Sequence, residues 1–348
     1  MRREERIKKP IVAQWKIVLP ALILLAFGLA LILFDRQEVN EILSGADWRY
    51  IPGALFFVAC SNGLVSLSYI LLARLVGIRM DGWELGASFY TTNVMNRLMR
   101  GGGAAGFSLR YLIMNQFGVN LNDVLNSSFI HFLLGSLIML AMLPLAVIYI
   151  TLVLTLPPST TLMMIFLAAA GLLMGVGAAS VLFSDRLRQW AARLAVWLAR
   201  VVARRDASRL AEDYTNRAAW AAAAMRRNRG RVSLVMLLLL GEWASNVIIL
   251  GYCLRAFGVG MDFGGAAAVY VTATMAGVIS ALPGGIGVQE GLVTSLVVLQ
   301  GASFEQAALG ALLYRILQTF LPFLISLTFY PRLLKVGARK TEPSDVRI

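Results

Sequence analysis

The sequence predicts an all-α polytopic membrane protein with about six full transmembrane helices and two glycine-tipped re-entrant hairpins in an inverted repeat. Three observations carry this expectation: long apolar runs, basic segments that recur on one side of those runs, and a self-similarity between the two halves of the chain. Of the 348 residues 58% are hydrophobic and only 15% charged, and the mean hydropathy is +0.72. Soluble domains lie nearer 45–50% apolar and about 25% charged. A soluble enzyme or binding domain is therefore excluded.

The runs Ile17 to Phe34, Ile51 to Ala73, Val124 to Leu154, Leu162 to Phe183, Val232 to Leu254 and Ala308 to Tyr330 approach or exceed the length that spans a bilayer as helix. The first follows a basic stretch, as a signal peptide would. Its apolar core is too long for an h-region and no small-x-small cleavage site follows, so a retained helix is expected. Two further regions, Leu85 to Phe117 and Ala266 to Val298, are apolar but broken by glycines at mid-length. Cys60 and Cys253 lie inside apolar runs without metal or redox spacing and are expected to be buried small hydrophobes.

Charge placement sets the orientation. Residues 1–16 carry a net +4, residues 184–231 twelve Arg against four acids, and residues 332–348 a net +3. Residues 35–50 carry a net −2 and residues 155–161 no charge. The positive-inside rule puts the N-terminus, 184–231 and the C-terminus in the cytoplasm, and every span then alternates. The 184–231 segment interleaves Arg with Ala, Leu, Trp190, Trp197 and Trp220. Set between membrane spans, it is expected to form amphipathic helices at the anionic leaflet and not a nucleic-acid surface.

At a displacement of 181 residues, Arg74, Gly77, Met80 and Asp81 recur as Arg255, Gly258, Met261 and Asp262. Gly103 falls on Gly284 and Gly106 on Gly287; two residues out of step, Gly118 falls on Gly301. Within a single membrane domain, 1–348, the repeats are 51–154 with a hairpin at 84–117 and 232–334 with a hairpin at 265–300. The first begins outside and the second inside, so the copies are inverted, a build common among secondary transporters. The arms on either side of Gly101, Gly102 and Gly103, and of Pro283, Gly284 and Gly285, are too short to cross comfortably. Re-entrant hairpins are the economical reading; short tilted spans keep the same parity.

Half-helices that start at such tips offer unpaired N–H groups and a positive dipole end, a ready site for an anion. Intramembrane ionisable residues are costly and are functional candidates. Arg97 and Arg100 precede the first tip, with Asn93 and Asn96 within about a turn of them. Arg110 lies on the return helix, either in the site or snorkelling to the surface. Gln289 and Glu290 open the second return helix, where Glu290 can complement the helix dipole. Arg315 lies in the last span with Gln318 on the same face, and Glu242 lies inside the span that opens the second repeat. Glu290 and Arg315 form either a structural pair or one that faces the central cavity and exchanges partners. His131, the sole histidine, is expected to pack, and Pro144 and Pro322 to kink long helices. No metal cluster, Gly-x-Ser-x-Gly elbow or Walker loop is present in the sequence, so no enzyme activity, metal or cofactor is expected.

The segment Pro283, Gly284, Gly285, Gly287 and Glu290, with Arg315 downstream in the last long helix, resembles the membrane domain of the lysylphosphatidylglycerol synthase/flippase family over roughly residues 15–335. In that family the domain is associated with moving aminoacylated phosphatidylglycerol between leaflets. The resemblance implies that those six residues form the core of the site, and it implies a bacterial cytoplasmic membrane. Residues 1–348 hold no counterpart of the aminoacyl-transferase domain of two-part members, so lysyl transfer is not expected of them. The expected function is a flippase-like translocase of a phospholipid or other anionic lipid, acting on membrane lipids. The alternatives are a secondary transporter of a small anionic solute and a non-transporting partner of an envelope-lipid enzyme. The orientation has a direct test in intact cells with an impermeant thiol reagent. Ser44→Cys should be labelled and Ser208→Cys protected, and the opposite pattern reverses the topology.

Overall fold

In the computed structural model, residues 36–98, 104–153, 158–203, 208–280 and 282–341 are described, and every regular element among them is a helix. In chain order they are α1 (Arg36–Ser44), α2 (Tyr50–Val76), α3 (Gly82–Leu98), α4 (Ala104–Asn115), α5 (Leu121–Val153), α6 (Pro158–Phe183), α7 (Asp185–Ala203), α8 (Ser208–Arg227), α9 (Arg229–Arg255), α10 (Phe263–Ile279), α11 (Val288–Val298), α12 (Phe304–Arg315) and α13 (Leu321–Thr341). A 3₁₀ turn, Pro283–Gly285, precedes α11, and a π turn, Ile316–Phe320, joins α12 to α13. Among the described residues, four stretches are long and apolar enough to cross a membrane: Tyr50–Val76, Leu121–Val153, Arg229–Arg255 and Phe304–Tyr330. Helix α6 covers the expected span 162–183. The expected first span, 17–34, lies outside the described residues.

The punctuation of the two halves repeats in three dimensions. Gly77 and Gly258 both adopt positive φ (95° and 81°), which a residue with a Cβ rarely takes. Each closes its helix by a Schellman pattern, with Ile78 N–H donating to Ala73 O and Val259 N–H to Leu254 O. Arg74 then donates to the Met80 carbonyl (2.5 Å) and Arg255 to the Met261 carbonyl (3.0 Å). Asp81 accepts from Trp83 N–H and Asp262 from Gly265 N–H, so α3 and α10 are capped and begin two residues before the expected hairpin starts. The Tyr149 hydroxyl and the Gly265 N–H hold the Asp262 carboxyl below its usual range. Gly118 and Gly301 (φ 76° and 98°) end the hairpins in the same way. The equivalence fails at Gly106 and Gly287. Gly106 is buried inside α4, whereas Gly287 (φ 84°) stands before α11.

Helices α2 and α9, the matching first helices of the two halves, pack along each other. Asp47 N–H bonds Ala256 O, Gly53 leaves room for the Tyr252 ring, Ser61 meets Asn246, and Gly241 leaves room for Leu64. Rising numbers on one helix meet falling numbers on the other, so the pair is antiparallel. The first arm of each hairpin packs on the last helix of the other half, α10 on α5 and α3 on α13. Contacts at the helix ends join Tyr149 to Asp262 (2.7 Å) and Trp83 to Phe329. The return arms α4 and α11 have 12 and 11 residues. At 1.5 Å per residue each extends roughly 17 Å, against ~30 Å of hydrocarbon.

Disulfide trapping checks the antiparallel pair in a chain whose Cys60 and Cys253 are replaced by Ala. Tyr50→Cys should crosslink with Tyr252→Cys and not with Ser233→Cys at the other end of α9. The reverse pattern contradicts the arrangement.

Candidate functional site

Polar residues converge at the middle of three apolar helices. Ser61, Glu242 and Gln318 each lie within two residues of the centre of the spans Tyr50–Val76, Arg229–Arg255 and Phe304–Tyr330. Gln318 Nε2 donates to Ser61 Oγ at 3.2 Å and also to the Asn246 side chain. Asn246 Nδ2 in turn donates to Glu242 Oε1 at 2.8 Å. The i, i+4 spacing of Glu242 and Asn246 puts them on one face of α9.

Arg97 reaches this cluster from the last turn of α3. Its Nη2 stands 3.5 Å from Glu242 Oε1, and its Nη1 donates to the Gln318 carbonyl at 3.3 Å. That carbonyl is free for a local reason. Pro322 has no N–H to offer the residue four back, and the π turn directly before it further disturbs the ladder. The expected kink at Pro322 is thus a π turn that turns a backbone carbonyl toward an arginine. Arg97 and Glu242 retain 17% and 21% side-chain exposure, so a ligand can reach both.

Arg315 and Glu290 form a second pair of different character, 5% and 3% exposed. Arg315 Nε lies 3.0 Å from Glu290 Oε1, Nη1 donates to Gln289 Oε1 (3.1 Å) and Nη2 to the Gly284 carbonyl (2.6 Å). Glu290 Oε2 accepts the Gly287 N–H at 2.7 Å, capping α11. Gly284 and Gly285 have φ of 66° and 63°, and a Cβ on Gly285 would press on the backbone of Gly277. The turn thereby folds tightly enough to present its carbonyl to the guanidinium. A Cβ on Gly284 would lie 3.2 Å from the Arg97 carbonyl, so this turn abuts the C-terminal end of α3.

A cavity of about 160 Å³ lies between the two pairs, walled by Arg97, Glu242, Asn246, Gln289, Arg315 and Gln318 together with Tyr270, Tyr314, Thr274 and Thr319. A separate apolar groove of about 530 Å³ lies between α2, α3 and α13. Tyr90, two turns before Arg97, and Pro322, four residues after Gln318, line that groove, and Tyr90 O–H donates to the Pro322 carbonyl (2.9 Å).

Of the residues the sequence singled out, Arg97, Gln289 and Arg315, with Glu242 and Gln318, line the cavity. Gly284, Gly285, Gly287 and Glu290 build the turn behind it, and Pro283 begins that turn. Glu290 does not face the cavity: both its oxygens are engaged by Arg315 and Gly287, and it is almost wholly buried. Asn96 packs against Gly106, and Asn93, half-buried on α3, is not on the cavity wall. Arg110 neither lines the cavity nor snorkels. It is buried over the stacked rings of Tyr69 and Phe89, 4.8 and 4.6 Å from their centroids, and bonds Thr92 and Ser128. His131 belongs to this packed cluster, with Nε2 3.0 Å from Ser68 Oγ. Arg100, Gly101, Gly102 and Gly103 lie outside the described residues. Sequence reasoning named Glu242 only as an intramembrane candidate without assigning it to the site, and it did not name Ser61, Asn246, Tyr270 and Tyr314. The signal was present for two of them, an acid and an amide one helical turn apart inside an apolar run.

The fold and site define a polytopic helical membrane protein with a charged, partly accessible centre. Over residues 16–326 the chain matches the profile of the lysylphosphatidylglycerol synthase TM region, and it belongs to that family. Membership ties it to a lipid-related role in the membrane. A comparison with curated proteins found no match.

The contrast between the two pairs is measurable as stability. Glu290→Ala leaves the Arg315 guanidinium buried without its carboxylate and should cost about 3–5 kcal/mol, seen as a lower thermal midpoint in detergent. Glu290→Ala combined with Arg315→Met should recover most of that loss, and equal destabilisation by the single and double variants contradicts the pairing. Glu242→Ala, at the more exposed pair, should cost clearly less than Glu290→Ala.

Proposed function

We propose that the chain is a flippase-like translocase that moves an anionic phospholipid across the cytoplasmic membrane. The observation that carries this reading is that α3 and the 318–322 segment each contribute to both a polar cavity and an apolar groove. A soluble solute needs a water path on both faces and has no use for such a groove. A phospholipid needs both environments at once: a polar passage for its headgroup and an apolar margin for its chains. Leu55, Leu67 and Trp83 on the groove wall are exposed, which suits a margin open to lipid.

The architecture supports alternating access. Matching helices of the two halves run antiparallel, so if both cross the membrane the axis relating the halves lies in its plane. Hairpin arms too short to cross, one pair with its turn against Arg97, fit re-entrant elements that meet near mid-depth. Their non-helical backbone needs protein partners in hydrocarbon, and the Gly284 carbonyl has one in Arg315. Each half grips the other through a first hairpin arm, so rocking one half against the other moves both faces of the cavity together.

The charge logic centres on Arg97. At 3.5 Å its contact with Glu242 is loose, and a headgroup phosphate offers the guanidinium a bidentate partner in place of the carboxylate. Released from Arg97, Glu242 keeps its hydrogen bond from Asn246 and can meet an ammonium or take up a proton. Arg315 supplies a second positive wall but is held by three partners, so it lines the passage without exchanging. A charged group at the bilayer centre costs at least ~2.5–3.5 kcal/mol without such compensation.

The test is transport in proteoliposomes of a phosphatidylglycerol labelled on its headgroup. Arg97→Gln and Glu242→Gln should fold and insert normally yet lower the rate roughly tenfold or more. Wild-type rates in both variants, or uptake of soluble phosphate with no lipid movement, contradict the proposal.

A further inference from the structure

Helix α7 begins at Asp185, immediately after α6 ends at Phe183 and Ser184 breaks the chain, so it leaves the end of an apolar helix at once. Its Leu187, Trp190, Leu194 and Trp197 recur at i, i+3, i+7 and i+10, which is one face of a helix. All four are exposed, the two tryptophans at 62% and 58%. Arg186 and Arg193 are exposed too and stand one position before Leu187 and Leu194. Arg186 and Arg193 therefore run along one edge of the apolar row, and in sequence Arg200 follows at the same seven-residue spacing. A different face is already used: Arg188 is buried and paired with Asp185 at 3.0 Å, and α7 packs on α8. Helix α8 is fixed in turn by buried Ala218, Ala221, Ala222 and Met225, and by Arg217 donating to Asn126 at 3.0 Å. The apolar stripe of α7 is thus held outward on a fixed support.

We propose that α7 lies in the plane of the membrane and docks on anionic lipid, with Leu187, Trp190, Leu194 and Trp197 sunk at the headgroup–acyl boundary and the arginine row on lipid phosphates. Three features select this occupant over a protein. The helix starts at the end of an apolar span, so a bilayer is already beside it. Tryptophan favours the membrane–water boundary. The segment 184–231 carries twelve Arg against four acids, complementary to an anionic leaflet. This surface is separate from the central cavity, and the inference does not depend on transport.

Depth-dependent quenching tests it on the full chain with Cys60 and Cys253 replaced by Ala. A polarity-sensitive NBD probe is placed through Trp190→Cys, Trp197→Cys or, on the polar face, Gln189→Cys. The protein is reconstituted in phosphatidylcholine with or without phosphatidylglycerol. With phosphatidylglycerol present, a shallow doxyl-labelled lipid should quench positions 190 and 197 about threefold more than 189, and aqueous iodide should quench in the reverse order. The contrast should shrink in pure phosphatidylcholine, at high salt, and in Arg186→Gln/Arg193→Gln/Arg200→Gln. Iodide access at 190 and 197 equal to that at 189 overturns the proposal, as does shielding that appears only when a soluble protein is added. Equal contrast in both lipid mixtures, unchanged by the triple substitution, overturns its anionic part.

Discussion

A charge buried among apolar helices must find its partners inside the protein, and Arg315 does so by gripping the turn 284–290. Two of its guanidinium nitrogens donate to an amide oxygen and a backbone carbonyl, and Nε stands 3.0 Å from the Glu290 carboxylate as an ion pair. The carboxylate partner also caps α11, so one pair of charges satisfies a buried cation, a helix start and an irregular turn. The turn so fixed abuts the end of α3 and sets the position of Arg97 against Glu242. The accessible pair is thus held in place by the inaccessible one. A loosely held charge pair is tolerable there because its surroundings are polar on the cavity side.

The two halves of the chain are not separate bundles. Their first helices form the shared antiparallel spine, and each lends a hairpin arm to the last helix of the other. A change in one half is therefore felt at two places in the other. The π turn at 316–320 lies at the centre of this arrangement, where Gln318 touches α2, α3 and α9 at once. A π turn is a local departure from the regular helix and often accompanies function. Here it supplies both the carbonyl for Arg97 and the amide that joins α2 to α9.

Much of the fold was legible because its signals are local. Asp81 with Gly77, and Asp262 with Gly258, announce helix ends through backbone chemistry that needs only neighbouring residues. Long apolar runs do the same for spans. The second turn was legible because glycines at positive φ, a capping Glu and a downstream Arg form one compact pattern. The Arg97–Glu242 pair was not, since it joins residues 145 positions apart and depends on how α3 meets α9. Arg110 misled for a related reason: its partners are two aromatic faces and two hydroxyls, which no charge count along the chain reveals. Gly106 and Gly287 share a register in sequence but not a conformation, because Gly106 makes room for Asn96 whereas Gly287 turns the backbone.

The central claim is that a lipid headgroup meets Arg97 while one of its chains occupies the groove between α2, α3 and α13. An experimental structure in nanodiscs containing phosphatidylglycerol tests it most directly. The account predicts phosphate density against the Arg97 guanidinium, with Glu242 displaced toward Asn246 and acyl density running past Tyr90 and Pro322. A groove filled by protein, or a lipid bound only on the outer surface with the Arg97–Glu242 contact intact and the cavity sealed from the groove, would contradict it.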